Sequence, residues 1–217
     1  METIILKMTS AYDNQDFYND IPDCHILDFK SLSGTRCYLD DSAKDSILHA
    51  LGDFDYKGIH FIDSGNYHYL TLLWLMKIKE NFNLVLFDHH PDNQPPSFGD
   101  ITSCGGWVLE ATEKLKNLHH VYTYGVGKEI PISDIPTDLP LYISIDKDIL
   151  CTADSITDWD QGEMSLDELL TDLKNIFSNH TIIGVDICGD SGEQAFEGAF
   201  LNNQTNATLF DFLHENF

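Results

Sequence analysis

The sequence predicts an α/β protein whose core is a doubly wound, mostly parallel β-sheet. Short apolar segments alternate with amphipathic segments along the chain, and several of the apolar segments contain almost no polar residue. Strands of a parallel sheet have helices on both faces, which is why their sequences are apolar nearly throughout. Strands that alternate with helices in this order favour a sheet covered by helices on both sides.

Seven segments have the composition of buried strands, and five have the period of helices. The predicted strands are residues 3–8, 24–29, 58–62, 84–87, 120–126, 141–145 and 181–187. The predicted helices are residues 42–51, 67–80, 106–117, 166–177 and 207–215. Ser165 followed by Glu168 predicts a capping box at the start of the fourth helix. Because no linker or repeat divides the 217 residues, we expect a single domain over residues 1–217.

Charge and cysteine usage limit the function classes. The chain has 12 basic and 36 acidic residues and a formal net charge of -24, which disfavours nucleic acid and anionic membranes as partners. No apolar run approaches the roughly 18 residues of a membrane span, and the first residues lack a leader pattern. The five cysteines include no C-x-x-C pair, which argues against a disulfide framework. We therefore expect a cytoplasmic protein, a monomer or a homo-oligomer, that binds neither nucleic acid nor a membrane.

Three of the predicted strands are followed by carboxylates and imidazoles. These polar segments are residues 63–68 (DSGNYH), 88–92 (DHHPD) and 146–148 (DKD). Ligands of open α/β sheets bind at the carboxyl ends of the strands. We therefore expect the three segments to meet at one edge of the sheet.

The spacing within these segments selects six candidate metal ligands. Residues two apart in an extended segment point to the same side, so His89 is out of phase with its neighbours. The candidates are His68, Asp88, His90, Asp92, Asp146 and Asp148. Four carboxylates roughly neutralise two divalent ions, and a mixed set of carboxylates and imidazoles suits manganese. The sequence thus predicts two divalent metal ions, with Mn²⁺ as the expected metal.

At these residues the chain resembles the ureohydrolase family of arginases, agmatinases and formiminoglutamases. The family carries G-x-x-H, D-x-H-x-D and S-x-D-x-D motifs on successive strand ends, and the chain has them at residues 65–68, 88–92 and 144–148. The resemblance implies an arginase-like fold of three αβα layers. It also implies a binuclear manganese-dependent hydrolase that attacks a C–N bond in a small-molecule substrate, namely an amidine, guanidine or amide.

The resemblance assigns a role to each candidate ligand. It implies that Asp88 and Asp146 bridge the two metal ions. His68 and Asp92 would complete one metal site, and His90 and Asp148 would complete the other. A hydroxide between the metals would attack a planar carbon, with Asp92 as the catalytic residue that orients it.

The chain departs from the family at positions that bind substrate. The family glutamate of a D-x-x-E pattern, which holds a guanidinium, is replaced by Gly189 in residues 186–189 (DICG). Asp190 and Glu193 are candidate replacements. A family loop histidine is not evident, and residues 103–107 (SCGGW) stand in its place. Arginine and agmatine are therefore not expected to be substrates.

Residues 103–107 allow two interpretations. Either Gly105 and Gly106 let the backbone approach a ligand while Cys104 or Trp107 lines the pocket, or they form a glycine-rich helix entry beside a packed Trp107.

Three alternatives to the ureohydrolase interpretation stay open at this stage. Residues 88–90 (DHH) match a signature of manganese-dependent D-H-H phosphoesterases, although that family's early aspartate-rich and late glycine-rich motifs are absent. A zinc deacylase of the histone-deacetylase type shares the arginase-like fold but keeps one metal, whereas Asp92 and Asp148 favour two. A non-catalytic metal-binding relative would show the same ligands and the same departures.

Overall fold

Seven parallel strands form the central sheet. The computed structural model describes residues 2–127, 130–192 and 196–217. Numbered in chain order together with two shorter strands, the sheet strands are β1 (Glu2–Lys7), β2 (Cys24–Asp28), β4 (Gly58–Phe61), β5 (Phe82–Phe87), β7 (Leu118–Tyr124), β8 (Leu141–Asp146) and β9 (Ile182–Cys188). Their order across the sheet is β2-β1-β4-β9-β8-β5-β7. Every neighbouring pair is parallel, which confirms the predicted strands and the α/β class.

Helices cover both faces of this sheet. They are α1 (Asp41–Ala50), α2 (Leu70–Leu75), α3 (Trp107–Lys114), α4 (Leu166–Asn179) and α5 (Phe196–Asn216). Side chains on the two faces of the sheet pack into two separate hydrophobic cores. In β5, Leu84 and Leu86 pack with α1, α2 and α3, whereas Val85 and Phe87 pack with α4 and α5. The result is the predicted arrangement of three αβα layers.

The helix boundaries differ from the prediction at α2 and α5. The start of the predicted segment 67–80 is a tight 3-10 turn, Gly65–Tyr67, and α2 ends at Leu75. Helix α5 extends over residues that have low helix propensity, including several asparagines. Buried Asn202 donates to the carbonyl of Ile156 and accepts its amide hydrogen, so tertiary contacts stabilise this part of the helix. The predicted capping box of Ser165 and Glu168 is present in α4.

A second, two-stranded antiparallel sheet was not predicted. It consists of β3 (Tyr38–Leu39) and β6 (Thr102–Ser103), which are too short to show a hydrophobic period. This pairing places Cys37 beside Cys104, whose amide donates to the Cys37 carbonyl at 2.9 Å. Among the described residues, no helix is both long and apolar enough to span a membrane.

Candidate metal centre

The carboxyl ends of β4, β5 and β8 bring all six predicted ligands to one place. Asp88 directly follows β5, Asp146 is the last residue of β8, and His68 follows the turn after β4. These strands and β9 are neighbours in the sheet. The donor atoms form three overlapping groups, each within 4.8 Å: His68, Asp88 and Asp92; Asp88, His90 and Asp148; and His68, Asp146 and Cys188.

His68 lies at the centre of the first half of the site. Its Nδ1 atom is 3.2 Å from Asp88 Oδ2 and 3.1 Å from Asp92 Oδ2. The same atom is 3.4 Å from Asp146 Oδ2. Trp107 Nε1 donates a hydrogen bond of 2.7 Å to Asp92 Oδ2 and so fixes that carboxylate. Three carboxylates therefore surround one buried imidazole nitrogen.

A buried chain of hydrogen bonds determines which nitrogen of His68 carries hydrogen. The Ser144 hydroxyl donates to Asp186 Oδ1 at 2.7 Å, and Thr71 Oγ1 donates to the same oxygen at 3.0 Å. Ser144 Oγ must then accept the hydrogen of His68 Nε2, 2.9 Å away. The lone pair of the neutral imidazole is consequently on Nδ1, which faces the carboxylates. A fixed ring of this kind is typical of a histidine that binds a metal ion.

The second half of the site contains His90 and Asp148. His90 Nδ1 is 2.7 Å from Asp148 Oδ2 and 3.8 Å from Asp88 Oδ1. The other Asp148 oxygen accepts the backbone amide of His89 at 2.9 Å, and the His89 ring belongs to none of the donor groups. Asp88 presents one oxygen to each imidazole and thus lies between the halves. Asp146 contacts the first half, so its bridging role stays a prediction.

Burial and mutual repulsion make these carboxylates unfavourable without a cation. Burial raises the pKa of Asp88 well above its usual range, and burial together with Asp148 raises the pKa of Asp146 to about 7. Hydrogen bonding to Asp148 raises the pKa of His90 to about 9. Each of these pKa shifts shows that a proton or another positive charge stabilises the cluster.

The pKa of His68 also shows that positive charge stabilises the cluster. Burial disfavours its charged form, but Cys188 and the nearby carboxylates outweigh burial and raise the pKa of His68 well above its usual range. His68 Nδ1 and Asp88 Oδ2 are both buried and have no hydrogen-bond partner. Unpartnered buried polar atoms are costly, and a cation bound between them would satisfy both. The residues present therefore fit divalent metal ions.

A pocket of about 330 Å³ opens onto this cluster. Its wall includes five of the six predicted ligands, all except His68. The other described lining residues carry no formal charge: Cys37, Tyr38, Gly65, Gln94, Pro95, Ser97, Ser103, Cys104, Gly105 and Trp159. The pocket can admit a small molecule directly to the donor atoms.

Gly189 lies where the resemblance to the ureohydrolases predicts a glutamate, and its backbone conformation favours glycine. Its φ of 91° lies in the left-handed region that favours glycine. A Cβ atom at this position would lie 2.7 Å from the Lys147 amide nitrogen and even closer to Asp146 Oδ1. A side chain at residue 189 therefore conflicts with a predicted metal ligand.

Asp190, one of the two candidate substrate-binding carboxylates, does not reach the pocket. It is fully buried, and its Oδ2 atom accepts a hydrogen bond of 2.7 Å from the Lys147 ammonium. Gln15 Nε2 donates to Asp190 Oδ1 at 2.7 Å. Asp190 is thus held in the interior, outside the pocket wall. The other candidate, Glu193, lies outside the described residues.

Both interpretations of residues 103–107 are correct in part. Cys104 and Gly105 line the pocket, as the first interpretation expects. Trp107 is fully buried at the start of α3, as the second expects, and its indole reaches Asp92.

Sequence reasoning missed several residues around the site. Neither Trp107 nor Cys188 was assigned a contact with a ligand, because such contacts depend on how distant segments pack. Lys147 lies inside the D-K-D motif but points away from the metal cluster. Asp63, which also follows β4, accepts the amides of Met8 and Thr9 at 2.9 Å and ties β1 to β4. The phase of each side chain along its strand could have indicated Cys188, two residues after Asp186.

Comparison with known sequences matches part of the chain. No family model matches the chain. An uncharacterized protein of Thermotoga maritima is 36% identical over 146 residues, which cover 61% of this chain and 58% of that protein. The chain therefore matches less than two thirds of that relative's length.

Solved structures match over nearly the whole chain. Arginase from Medicago truncatula has a TM-score of 0.69 at 12% identity, with 98% of this chain and 86% of that chain covered. The proclavaminate amidino hydrolase of Streptomyces clavuligerus has a TM-score of 0.68 at 12% identity, with 97% and 91% covered. The formimidoylglutamase of Bacillus subtilis subsp. subtilis str. 168 has a TM-score of 0.61 at 13% identity, with 97% and 85% covered. At these identities the likeness shows the fold.

Proposed function

Because this chain has the arginase-like fold of the ureohydrolases, we propose that it is a hydrolase that holds two divalent metal ions. It would cleave a C–N bond in a small amidine, guanidine or amide. The observation that carries the proposal is the convergence of six predicted ligands around two buried atoms that lack hydrogen-bond partners. A second metal is favoured because Asp92 and Asp148 lie in separate donor groups, each with its own histidine.

The chain's own side chains supply binding and orientation. A bound metal pair would lower the pKa of a water molecule and polarise the carbon that the water attacks. Asp92 lies in the pocket wall, and Trp107 holds one of its oxygens, so the Asp92 carboxylate keeps a fixed position beside the reacting atoms. The Ser144 and Asp186 pair keeps His68 Nδ1 directed at the cluster. Such preorganisation is what positions a nucleophile for attack.

The pocket favours a substrate without a strong positive charge. Outside the predicted ligands, its described lining offers no carboxylate to pair with a guanidinium. Burial of an unpaired cation costs free energy, and both Gly189 and Asp190 are unavailable as partners. A neutral amide, or an amidine with a small substituent, fits this lining better than arginine does.

We propose manganese for at least the second half of the site. Its donors, Asp88, His90 and Asp148, are oxygen and imidazole nitrogen, a set that Mn²⁺ accepts. The D-H-H phosphoesterase alternative loses support, because the His89 ring belongs to none of the donor groups. A small molecule is the proposed partner, in agreement with the size of the pocket.

Metal content tests the proposal. Metal-free protein is reloaded with Mn²⁺, desalted and subjected to elemental analysis, and we expect about two ions per chain, the number the paired donor groups can hold. Asp92→Ala should lower this number. Asp134→Ala, which changes an exposed acid in the 3-10 turn Ile132–Asp134 that belongs to none of the donor groups, should leave it unchanged. One metal ion per chain, unchanged in Asp92→Ala, would contradict the binuclear proposal.

A substrate screen tests the reaction class. Mn²⁺-loaded protein is incubated with amidines, guanidines, amides and phosphodiesters, and release of amine, ammonia or phosphate is measured. Hydrolysis of a C–N substrate, lost in Asp88→Asn, is the expected result. Turnover of phosphodiesters alone would overturn the proposed reaction.

A further inference from the structure

Cys188 is an additional potential donor at the first half of the metal centre. It is the last residue of β9 and is paired in register with Asp146 at the end of β8. The side chain is fully buried, and Sγ donates to Asp146 Oδ2 at 3.0 Å. Cys188 therefore touches a predicted ligand directly, on the side of the sheet that carries His68.

A second observation places this thiol beside a buried nitrogen that has no hydrogen-bond partner. His68 Nδ1, Cys188 Sγ and a carboxylate oxygen of Asp146 lie within 4.8 Å of one another. His68 is 1% exposed, and its Nδ1 atom has no hydrogen-bond partner. Sulfur, nitrogen and oxygen donors thus lie together at a buried imidazole nitrogen without a hydrogen-bond partner. A residue that only filled space here could be Ala or Val.

We propose that Cys188 binds the metal ion in the first half of the site as a thiolate, with its proton released to solvent. The inference rests on the proposed metal centre and deepens it. A thiolate favours softer or borderline ions such as Zn²⁺ and Co²⁺ over Mn²⁺. The His90 half has only oxygen and nitrogen donors among the described residues. The two halves therefore differ in metal preference, and the centre is built for two different ions.

The competing explanation gives Cys188 a purely orienting role. In that case the thiol stays protonated and holds Asp146 by its hydrogen bond. Loss of such a contact would also weaken metal binding, so affinity alone does not separate the two roles. The absorption spectrum of the bound metal separates the two roles, because only a sulfur atom bonded to the metal produces a thiolate-to-metal charge-transfer band.

Cobalt substitution provides this spectrum. Metal-free protein is titrated with Co²⁺, and absorption is recorded in the visible region and in the near ultraviolet, where thiolate-to-cobalt charge transfer appears. We expect an intense near-ultraviolet band that saturates with the first ion bound. Cys188→Ser, which keeps a hydrogen-bonding group beside Asp146, should lose this band and keep the visible bands of Co²⁺. Cys104→Ser, which alters a pocket thiol outside the donor groups, should keep both.

The same experiment separates the two proposals. Absence of bound Co²⁺, together with absence of bound Mn²⁺, would overturn the metal centre itself. Bound Co²⁺ without a charge-transfer band in the wild-type protein would overturn only the role of Cys188. A band that disappears in Cys104→Ser but persists in Cys188→Ser would also overturn it.

Metal competition and X-ray absorption supply independent readouts. The preference of the first site for Zn²⁺ over Mn²⁺ should fall by about tenfold or more in Cys188→Ser. If that variant does not fold, X-ray absorption on wild-type protein with one Zn²⁺ bound still decides the question. A sulfur neighbour at about 2.3 Å is expected, and a shell of nitrogen and oxygen alone contradicts the inference.

Discussion

Replacement of Lys147 by methionine should destabilise the protein strongly, although the change lies next to two candidate metal ligands in sequence. Lys147 is fully buried, and its ammonium is 2.7 Å from Asp190 Oδ2 and 2.8 Å from Asn206 Oδ1. Lys147→Met keeps a long apolar chain in the same space and removes the charge. Asp190 is then left as a buried carboxylate without a cation.

The size of the effect follows from the partners that stay in place. Removal of one partner of a buried ion pair costs about 3–5 kcal/mol. Gln15 still donates to Asp190 at 2.7 Å, and Asn206 donates at 3.2 Å, so we expect the low end of that range. A loss of about 3 kcal/mol lowers Tm by roughly 6–12 °C for a chain of this length.

Thermal unfolding of metal-free protein, followed by circular dichroism, measures this loss. Lys30→Met removes an exposed lysine from its pair with Asp13 and should change Tm little. The double variant Lys147→Met with Asp190→Asn removes the stranded charge and should recover a large part of the stability. If Lys147→Met shifts Tm no more than Lys30→Met does, or if the double variant recovers nothing, the buried pair does not stabilise the fold as argued.

Four further outcomes are expected. Asp88→Asn removes a charge between the two imidazoles and should reduce turnover of any C–N substrate by several orders of magnitude. Cys104→Ser should reduce turnover far less. Kinetic measurements, with metal content determined on the same samples, compare the two variants. Ser144→Ala removes the group that fixes His68 and should weaken metal binding by about 10- to 100-fold in a titration, so an unchanged affinity would contradict the assigned hydrogen bonds. Gly189→Ala should lower metal content, and retention of both ions at wild-type affinity would show that the close backbone approach is unimportant. Arginine should be hydrolysed with a kcat/KM well below about 10⁴ M⁻¹s⁻¹, as measured by urea release.

The fold and the convergence of the six candidate ligands could be predicted because both depend on local patterns. Seven strands were recognised from apolar runs, and parallel strands place their carboxyl ends at one edge. The spacing of two between Asp88, His90 and Asp92 predicts side chains on one side. The structure brings them together, although residues 89–90 form a bend and Asp92 has a φ of 43°. His89, out of phase in sequence, uses its amide to bind Asp148 and keeps its ring outside the donor groups.

The supporting contacts could not be predicted because they depend on register between distant segments. Trp107 reaches Asp92 only because α3 begins beside the turn after β5. Cys188 meets Asp146 only because β8 and β9 are neighbours with these two residues in register. The start of α5 was missed for a similar reason, since its buried asparagines are stabilised by partners far away in sequence.

Among the described residues, the pocket wall has no carboxylate besides the candidate metal ligands to pair with a guanidinium, and the backbone at Gly189 is part of the reason. Gly189 adopts a left-handed conformation and lies against the Lys147 amide, so no larger residue fits there without movement of Asp146. The next residue, Asp190, is consequently directed into the interior, where it pairs with Lys147. If the Asp190 carboxylate moved out of this pair to bind substrate, the Lys147 ammonium would be buried without a partner. The loss of folding free energy would be comparable to that expected for Lys147→Met. The proposed substrate preference and the stability of the protein would thus be linked at the junction of β8 and β9. Introduction of glutamate at residue 189 should therefore damage the metal centre rather than create arginase activity.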